Sequence, residues 1–267
     1  MRKVVVACVA LSALAVTGPA FATDLPLKAP PYAPPAPVYD WTGFYLGING
    51  GYSWGNSSTS YSGTDAITGL PFTPLSMSQS MDGWLGGGQI GYNWQFNRNW
   101  LLGLEADIDG TSQKGSAALP SVSGTFGVIA LFPFTTTASL SQSLPWFGTA
   151  RLRLGVLPSD HWLLYVTGGL AYGEVDSSST ISNTTTTGAG TTTVTMSGSQ
   201  DTTKVGWTIG GGVEWALAAH WSAKLEYLYM DLGTVSGAFT GVGAYSTLVT
   251  SSHVTDDILR AGFNYKF

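Results

Sequence analysis

Apolar and polar residues alternate along most of the chain after Trp41. In the closing stretch RAGFNYKF, every second position is apolar and ends on Phe267, with polar residues or glycine between. A period of two is typical of a β-strand with one apolar face. The same alternation predicts eight strands, at about 44–54, 84–96, 100–109, 146–156, 162–172, 205–215, 221–229 and 259–267.

The connections between these strands fall into two classes. Three are short turns, at 97–99, 158–161 and 217–220, and four are long segments, among them the Ser/Thr-rich stretch 174–204. An even number of strands, with short turns at one end and long loops at the other, is typical of a single-chain outer-membrane barrel. The pattern therefore predicts an all-β fold, an eight-stranded antiparallel up-and-down transmembrane β-barrel.

Aromatic residues cluster where the short turns meet the strands, and each short turn is followed directly by tryptophan. Tryptophan and tyrosine favour the boundary between lipid and water. An aromatic belt is predicted from Trp94, Trp100, Trp162, Trp215, Trp221, Tyr265 and Phe267.

A soluble lipocalin-like barrel also alternates, but its outer face is charged. Only 10% of this chain is charged, against about 25% in soluble domains. The composition favours apolar faces that meet lipid. The strands would then form the wall of a membrane barrel with its polar face inside.

The amino-terminal segment has a separate role. Arg2 and Lys3 precede an apolar run at 4–16 and the small-residue site at 20–22, as in a secretory signal peptide. We predict a signal peptide at 1–22, a Pro-rich periplasmic segment at 23–40 and the barrel at 41–267. Removing two of 11 basic residues leaves 9 against 16 acidic ones, a net charge of −7, which argues against a nucleic-acid partner.

Charged residues occur on the polar face of the predicted strands. Four acids and four bases in a narrow lumen are expected to pair, because an unpaired buried charge is costly. An eight-stranded barrel has an interior just wide enough for side chains. We expect these side chains to form a lumen ion-pair network that plugs the barrel; the alternative is a selectivity filter. The residues of the predicted network are Glu105, Asp107, Arg151, Arg153, Glu214, Lys224, Glu226 and Arg260.

The remaining motifs do not predict a cofactor or metal site. The glycines at 86–91 match a dinucleotide fingerprint but lie inside a predicted strand, so the match is false. The single cysteine lies in the predicted signal peptide and the three histidines are scattered, so no metal site and no cofactor is predicted. One alternative makes His253 the base and a nearby serine the nucleophile of a lipid hydrolase. Another makes His253, Tyr61 or Tyr245 a haemin ligand.

The chain resembles the alphaproteobacterial outer-membrane immunogenic protein or small porin family, within the eight-stranded OmpA-like and opacity-like barrels. The segments that carry the resemblance span nearly all of the mature chain and include DWTGFYLGINGGYSWG, WLLGLEADIDG, GWTIGGGVEWALAAHWSAKLEYLYMDLG and the closing RAGFNYKF. Members of that family are described as structural surface proteins, weak porins, haemin binders and adhesins. The resemblance implies location in the cell outer membrane of a Gram-negative bacterium.

The expected function is that of a structural, surface-exposed outer-membrane barrel. A small-solute porin and a haemin-binding or adhesive surface protein are the alternatives. The expected partners are outer-membrane lipid and lipopolysaccharide, the outer-membrane assembly machinery acting on the C-terminal strand, and host molecules or haemin at the loops.

Overall fold

A computed structural model describes residues 39–65, 75–118, 121–126, 132–242 and 245–267. The predicted signal peptide and nearly all of the Pro-rich segment lie outside these ranges. None of the described residues forms a helix able to span a membrane. The described residues form the strands β1 (Gly43–Asp65), β2 (Leu75–Gln95), β3 (Trp100–Ala118), β4 (Val122–Phe126), β5 (Phe132–Ser159), β6 (Trp162–Thr187), β7 (Gly190–Ala218), β8 (Trp221–Val242) and β9 (Tyr245–Lys266).

Antiparallel pairing joins the strands into one sheet. The order is β3-β2-β1-β9-β8-β7-β6-β5-β4, and an additional pairing of β3 with β5 closes the sheet on itself. The predicted all-β antiparallel fold is therefore confirmed. The predicted number of strands is not matched, because the described residues contain nine. The short strand β4 lies in a segment predicted as a loop, and among the described strands it pairs with β5 alone.

Strands extend far into segments predicted as loops. The stretch 174–204 is not a loop in the structure, because β6 and β7 stay paired up to Thr187 and Gly190. Only Gly188 and Ala189 form the turn between them. The Ser/Thr-rich composition predicts a loop, but threonine is β-branched and favours the extended backbone of a strand. Cross-strand hydroxyl contacts such as Thr184 to Thr193, at 3.0 Å, add to the pairing.

The two faces of each strand differ sharply in character. On β3, Leu104 is 59% exposed whereas its neighbour Glu105 is 3% exposed. At the height of the charged residues, apolar side chains point outward and charged ones point inward, the reverse of a soluble barrel. On β9 the outward apolar band runs from Leu259 to Tyr265, and Asp257 lies beyond it on the side of the long connections. We call that side the loop end, and the opposite side the short-turn end.

The interior contains two separate apolar clusters. The loop-end cluster consists of Met81, Leu85, Leu144, Phe147, Ala171, Val175, Leu228, Met230, Leu232, Val235, Val254 and Ile258. The short-turn cluster consists of Tyr39, Trp41, Leu101, Leu157, Leu163, Tyr165 and Ala216. Charged side chains occupy the lumen between them.

Trp41 fills the short-turn end of the lumen. It is 2% exposed, and its indole Nε1 donates to the carbonyl of Asp160 at 3.1 Å. The ring of Tyr39 packs edge-on against it with centroids 4.8 Å apart, and Lys266 Nζ lies 4.8 Å from the Tyr39 ring centre. Burial, reinforced by the negative charges of Glu214 and Asp40, raises the pKa of Tyr39 to about 12.

Candidate functional site

The charged layer of the lumen is the candidate site. The structure brings together all eight residues predicted for it, each on an inward position of its strand. They come from five strands: β3, β5, β7, β8 and β9. Their side chains are almost completely shielded from solvent, and every one takes part in at least one ion pair within 4.0 Å.

Arg151 joins three carboxylates. Its Nη2 lies 2.5 Å from Glu105 Oε1 and 2.7 Å from Asp107 Oδ2, and its Nη1 donates to Glu226 Oε1 at 2.9 Å. The register explains the first contact, because Arg151 on β5 lies directly opposite Glu105 on β3. Cross-strand neighbours of opposite charge stabilise each other in this way.

Arg260 joins a second set of three carboxylates. Its Nε donates to Glu226 Oε2 at 2.9 Å, its Nη2 to Asp107 at 2.8 Å and its Nη1 to Asp109 at 2.7 Å. Asp109 was not among the residues predicted for the network. The signal was present in the sequence, since Asp109 continues the inward alternation of Glu105 and Asp107 on the same strand.

Arg153 and Lys224 complete the network toward the short-turn end. Arg153 Nη2 donates to Glu214 Oε2 at 2.7 Å, and its guanidinium carbon lies 3.9 Å from the ring centre of Tyr165. Lys224 Nζ lies 2.9 Å from Glu105 Oε1. Glu214 also accepts a hydrogen bond from Asn264 Nδ2 at 2.7 Å. The layer contains five carboxylates and four cations, a formal charge of −1.

Two inward tyrosines support the charges. The hydroxyl of Tyr45 donates to Glu105 Oε2 at 2.7 Å, and that of Tyr165 donates to Glu226 Oε1 at 3.0 Å. Sequence reasoning did not single them out, because each is one aromatic residue on a mixed face. Glycine makes room for both rings: a Cβ on Gly91 would lie 2.3 Å from Tyr45 Cζ, and one on Gly212 would lie 2.7 Å from the Tyr165 hydroxyl.

The residues predicted for the aromatic belt all lie at the short-turn end with their rings exposed. Trp162 and Trp215 are cross-strand neighbours and stack with ring centres 5.6 Å apart. Tyr265 contacts Trp221 at 5.0 Å and Phe267 at 5.2 Å. A contiguous exposed band of aromatic residues marks a surface that meets a membrane or another protein.

Aromatic and acidic side chains pair at the loop end of the outer surface. The hydroxyl of Tyr52 donates to Asp82 and that of Tyr227 donates to Asp257. Trp146 Nε1 donates to Glu174 at 2.6 Å. Each pair places an apolar ring beside a charged group, an arrangement suited to a boundary between lipid and water.

His253 is not brought together with a neighbouring serine nucleophile. Ser252 points inward and contacts Ser57 at 2.6 Å, whereas the His253 side chain points outward and its Nε2 lies 3.5 Å from Asp231. The side chains of Tyr61 and Tyr245, the other haemin-ligand candidates, lie outside the described part of the structure. Within that part, no group of three or more His, Cys, Asp or Glu could hold a metal ion.

The glycines at 86–91 lie within β2, as predicted. They pair with β1 and β3 and open no helix. A dinucleotide fingerprint needs a helix at this point to receive the phosphates.

A closed antiparallel sheet with an apolar outer face and a charged interior defines a transmembrane β-barrel. Residues 7–267 match the family model described as the outer membrane protein β-barrel domain, and the chain belongs to this family.

Named relatives match all or most of the chain. The chain is 34% identical to the 31 kDa outer-membrane immunogenic protein of Brucella melitensis biotype 1, over 269 residues that cover 100% of both chains. It is 29% identical to the 22 kDa outer membrane protein of Rhizobium leguminosarum bv. viciae, over 74% of this chain and 68% of that protein. The crystal structure of OprG from Pseudomonas aeruginosa matches 86% of this chain and 98% of its own, at 13% identity and a TM-score of 0.44.

Proposed function

We propose that this protein is a structural, surface-exposed outer-membrane barrel whose lumen is closed to solutes. In this proposal eight strands cross the membrane, all except β4. The long connections face the exterior, and the charged layer serves as a plug that ties opposite walls together.

The ion-pair network is the observation that carries the proposal. Arg151 and Arg260 each donate hydrogen bonds to three carboxylates, and they share Asp107 and Glu226. These contacts link strands that are not neighbours in the sheet, such as β3 and β9. An ion that enters the lumen must displace several short, charge-assisted hydrogen bonds, which are about twice as strong as neutral ones.

The apolar clusters support the same conclusion. The loop-end cluster and the short-turn cluster lie on either side of the charged layer. An ion that passed the charges would therefore have to enter an apolar region, where it is poorly solvated.

Conductance in planar bilayers tests the proposal. The refolded protein is expected to give little or no steady current. Replacing Arg151 and Arg153 together by serine removes two cations from the plug and is expected to raise the current and lower thermal stability. The control variant, Arg98→Ser with Lys114→Ser, removes the same charge from two exposed positions and is expected to remain closed.

The proposal has a clear contrary outcome. A large and stable single-channel current from the unmodified monomer would overturn it and favour the small-solute porin. Equal currents from the lumen variant and the control would show that the charged layer is not the barrier.

Export and membrane contacts complete the proposal. Residues 1–22 would be removed as a signal peptide, residues 23–40 would remain in the periplasm, and the C-terminal strand would engage the outer-membrane assembly machinery. The aromatic belt and the tyrosine–carboxylate pairs would lie at the two surfaces of the membrane, in contact with phospholipid and lipopolysaccharide. Amino-terminal sequencing of the protein from outer membranes is expected to begin at Thr23, and any other start would refute the proposed cleavage site.

A further inference from the structure

One edge of the β6–β7 hairpin has no partner strand among the residues that the structure describes. β7 pairs with β6 from Gly190 to Trp215, but with β8 only from Trp207 to Ala218. On the side away from β6, the described residues provide no strand partner for the stretch 190–206. β7 comes close to β8 again through the side chain of Gln200, whose Oε1 would lie 2.6 Å from a Cβ on Gly237. The free edge therefore extends from Thr191 to Ser199.

The turn decides which backbone groups point to this edge. Gly188 and Ala189 form a two-residue turn, so Thr187 and Gly190 are a hydrogen-bonded pair. Pairs alternate along an antiparallel ladder, and every second residue of β7 directs its N–H and C=O away from β6. Those residues are 191, 193, 195, 197 and 199. The hydroxyl contacts of Thr191 with Thr186 and of Thr193 with Thr184 agree with this, because side chains are closest at non-hydrogen-bonded pairs.

The free edge lacks the usual protection against strand addition. Natural sheets guard exposed edges with lysine, proline, bulges or a covering segment. The sequence 190–200 contains no charged residue and no proline, and it is rich in threonine. The side chains of its edge-directed residues are exposed. Two exposed backbone groups at each of five positions are thus available for hydrogen bonding.

We propose that the β7 edge from Thr191 to Ser199 binds an extended peptide segment of another protein, which pairs with it as an additional antiparallel strand. Nine residues of strand are about 30 Å long, at about 3.4 Å per residue. Backbone hydrogen bonds supply the affinity in this mode of recognition, and side chains supply the selectivity.

Two acidic residues next to the Ser199 end of the free edge favour a basic residue at the amino terminus of the bound peptide. Asp176 and Asp201 lie opposite each other across β6 and β7. Burial, together with the negative charges of Asp201 and Glu174, raises the pKa of Asp176. A basic residue near the amino terminus of an antiparallel peptide would lie beside this acidic pair and offset its repulsion.

A second copy in the same membrane fits the edge poorly. Copies in one membrane share their orientation, so their β7 strands run in the same direction. A twofold rotation that relates two such strands places each edge-directed N–H opposite the same N–H of the other copy. A ladder needs each N–H opposite a C=O, so the edge favours a different chain that is free to run the other way.

Fluorescence anisotropy with a defined peptide tests this proposal. The probe is a labelled nine-residue peptide with an amino-terminal lysine followed by alternating valine and threonine, added to the full chain in lipid nanodiscs. Thr193→Pro with Ser197→Pro removes two edge-directed N–H groups that β6 does not use, and binding is expected to weaken at least about tenfold. The control, Thr193→Val with Ser197→Ala, removes the hydroxyls but keeps the backbone groups, and binding is expected to change less than about twofold.

The outcomes separate the possibilities. Equal binding to the proline variant, or equal binding of a peptide N-methylated at alternate residues, would overturn the proposal. Concentration-dependent association of the nanodiscs without peptide, abolished by the proline variant, would also overturn it and assign the edge to a second copy on a facing membrane. If heat-modifiability shows that the double proline variant does not fold, peptide binding to Thr193→Pro is compared with peptide binding to Thr193→Val. Equal binding to these two variants would overturn the proposal. The measurement does not involve conductance, so its failure would leave the closed-lumen proposal intact.

Discussion

Arg260 Nη1 donates a hydrogen bond to Asp109 Oδ2 at 2.7 Å, although the two residues are 151 positions apart in the chain. The contact crosses the lumen from β9 to β3, strands that do not pair with each other. It brings the last strand of the chain into contact with a strand from its first half. The charged layer thereby links walls that the backbone ladder does not join directly.

The first prediction concerns this contact. Arg260→Gln leaves Asp107, Asp109 and Glu226 without one of their cations, and removing one partner of a buried ion pair typically costs about 3–5 kcal/mol. We expect a loss of this size in the free energy of unfolding, measured by urea titration in lipid vesicles with tryptophan fluorescence. Arg98→Gln, in an exposed turn, is the control and is expected to change stability by less than about 0.5 kcal/mol. Equal stability of the two variants would contradict the network's structural role.

The second prediction concerns pH. Asp256 lies on the loop side of the apolar band, is 2% exposed, and accepts a hydrogen bond from Gln113 Nε2 at 2.8 Å. Burial raises the pKa of Asp256 from 3.8 to about 7. Between these values the folded protein holds a proton that the unfolded chain has lost, so the free energy of unfolding falls as pH rises through the window.

Asp256→Asn is expected to remove this part of the pH dependence. Urea titrations at about pH 5 and about pH 8 give the change in the free energy of unfolding between the two pH values. This change should be smaller in the variant than in the unmodified protein by about 1–3 kcal/mol. Asp160→Asn, in a short turn, is the control and should keep the slope. An unchanged slope in Asp256→Asn would show that Asp256 titrates normally.

The third prediction tests the lipid-facing assignment by depth. Leu152 lies near the middle of the outward face of β5, and Leu217 lies on β7 beside a short turn. Arginine is expected to cost about 2–4 kcal/mol at Leu152 and about 0–1 kcal/mol at Leu217, because the penalty for charge falls toward the interface. Folding free energies in bilayers give the comparison. A reversed order would mean that the outer face is not in lipid.

The fourth prediction concerns Trp41. Trp41→Ala is expected to cost about 3–5 kcal/mol, since it empties the space that the ring fills in the short-turn cluster. Trp41→Phe keeps most of the volume but loses the hydrogen bond to Asp160, and should cost less. Trp94→Ala, at an exposed outward position, is the control for loss of an indole. Urea unfolding measures all three, and similar losses for the alanine variants would refute a specific sealing role for Trp41.

The fifth prediction concerns the last residue. Phe267 N–H donates to the carbonyl of Phe44 at 3.0 Å, and its ring contacts Tyr265. Phe267→Ser is expected to lower the assembled, heat-modifiable fraction in cells while export continues, because the terminal aromatic ring is proposed to engage the assembly machinery. Phe267→Tyr keeps an aromatic ring and should assemble normally. Normal assembly of the serine variant would refute this role.

The sequence by itself determined the orientation of most side chains. Alternation with a period of two assigns Leu104 outward and Glu105 inward without reference to any other strand, because the pleat alone decides which face a residue occupies. The short turns before Trp100, Trp162 and Trp221 were also local signals. For these reasons the antiparallel barrel and the inward charges could be predicted from the sequence.

Only the tertiary structure decided how far the strands extend and which charges meet. The β6–β7 hairpin continues to Thr187 because its two halves find each other as partners, which a Ser/Thr-rich composition does not reveal. The partners of Arg260 on β3 depend on sheet closure and on the registers of several strand pairs together. The space for Tyr45 exists because Gly91 lies beside its ring across the sheet. Periodicity is a property of one strand, whereas register, closure and packing depend on several strands at once.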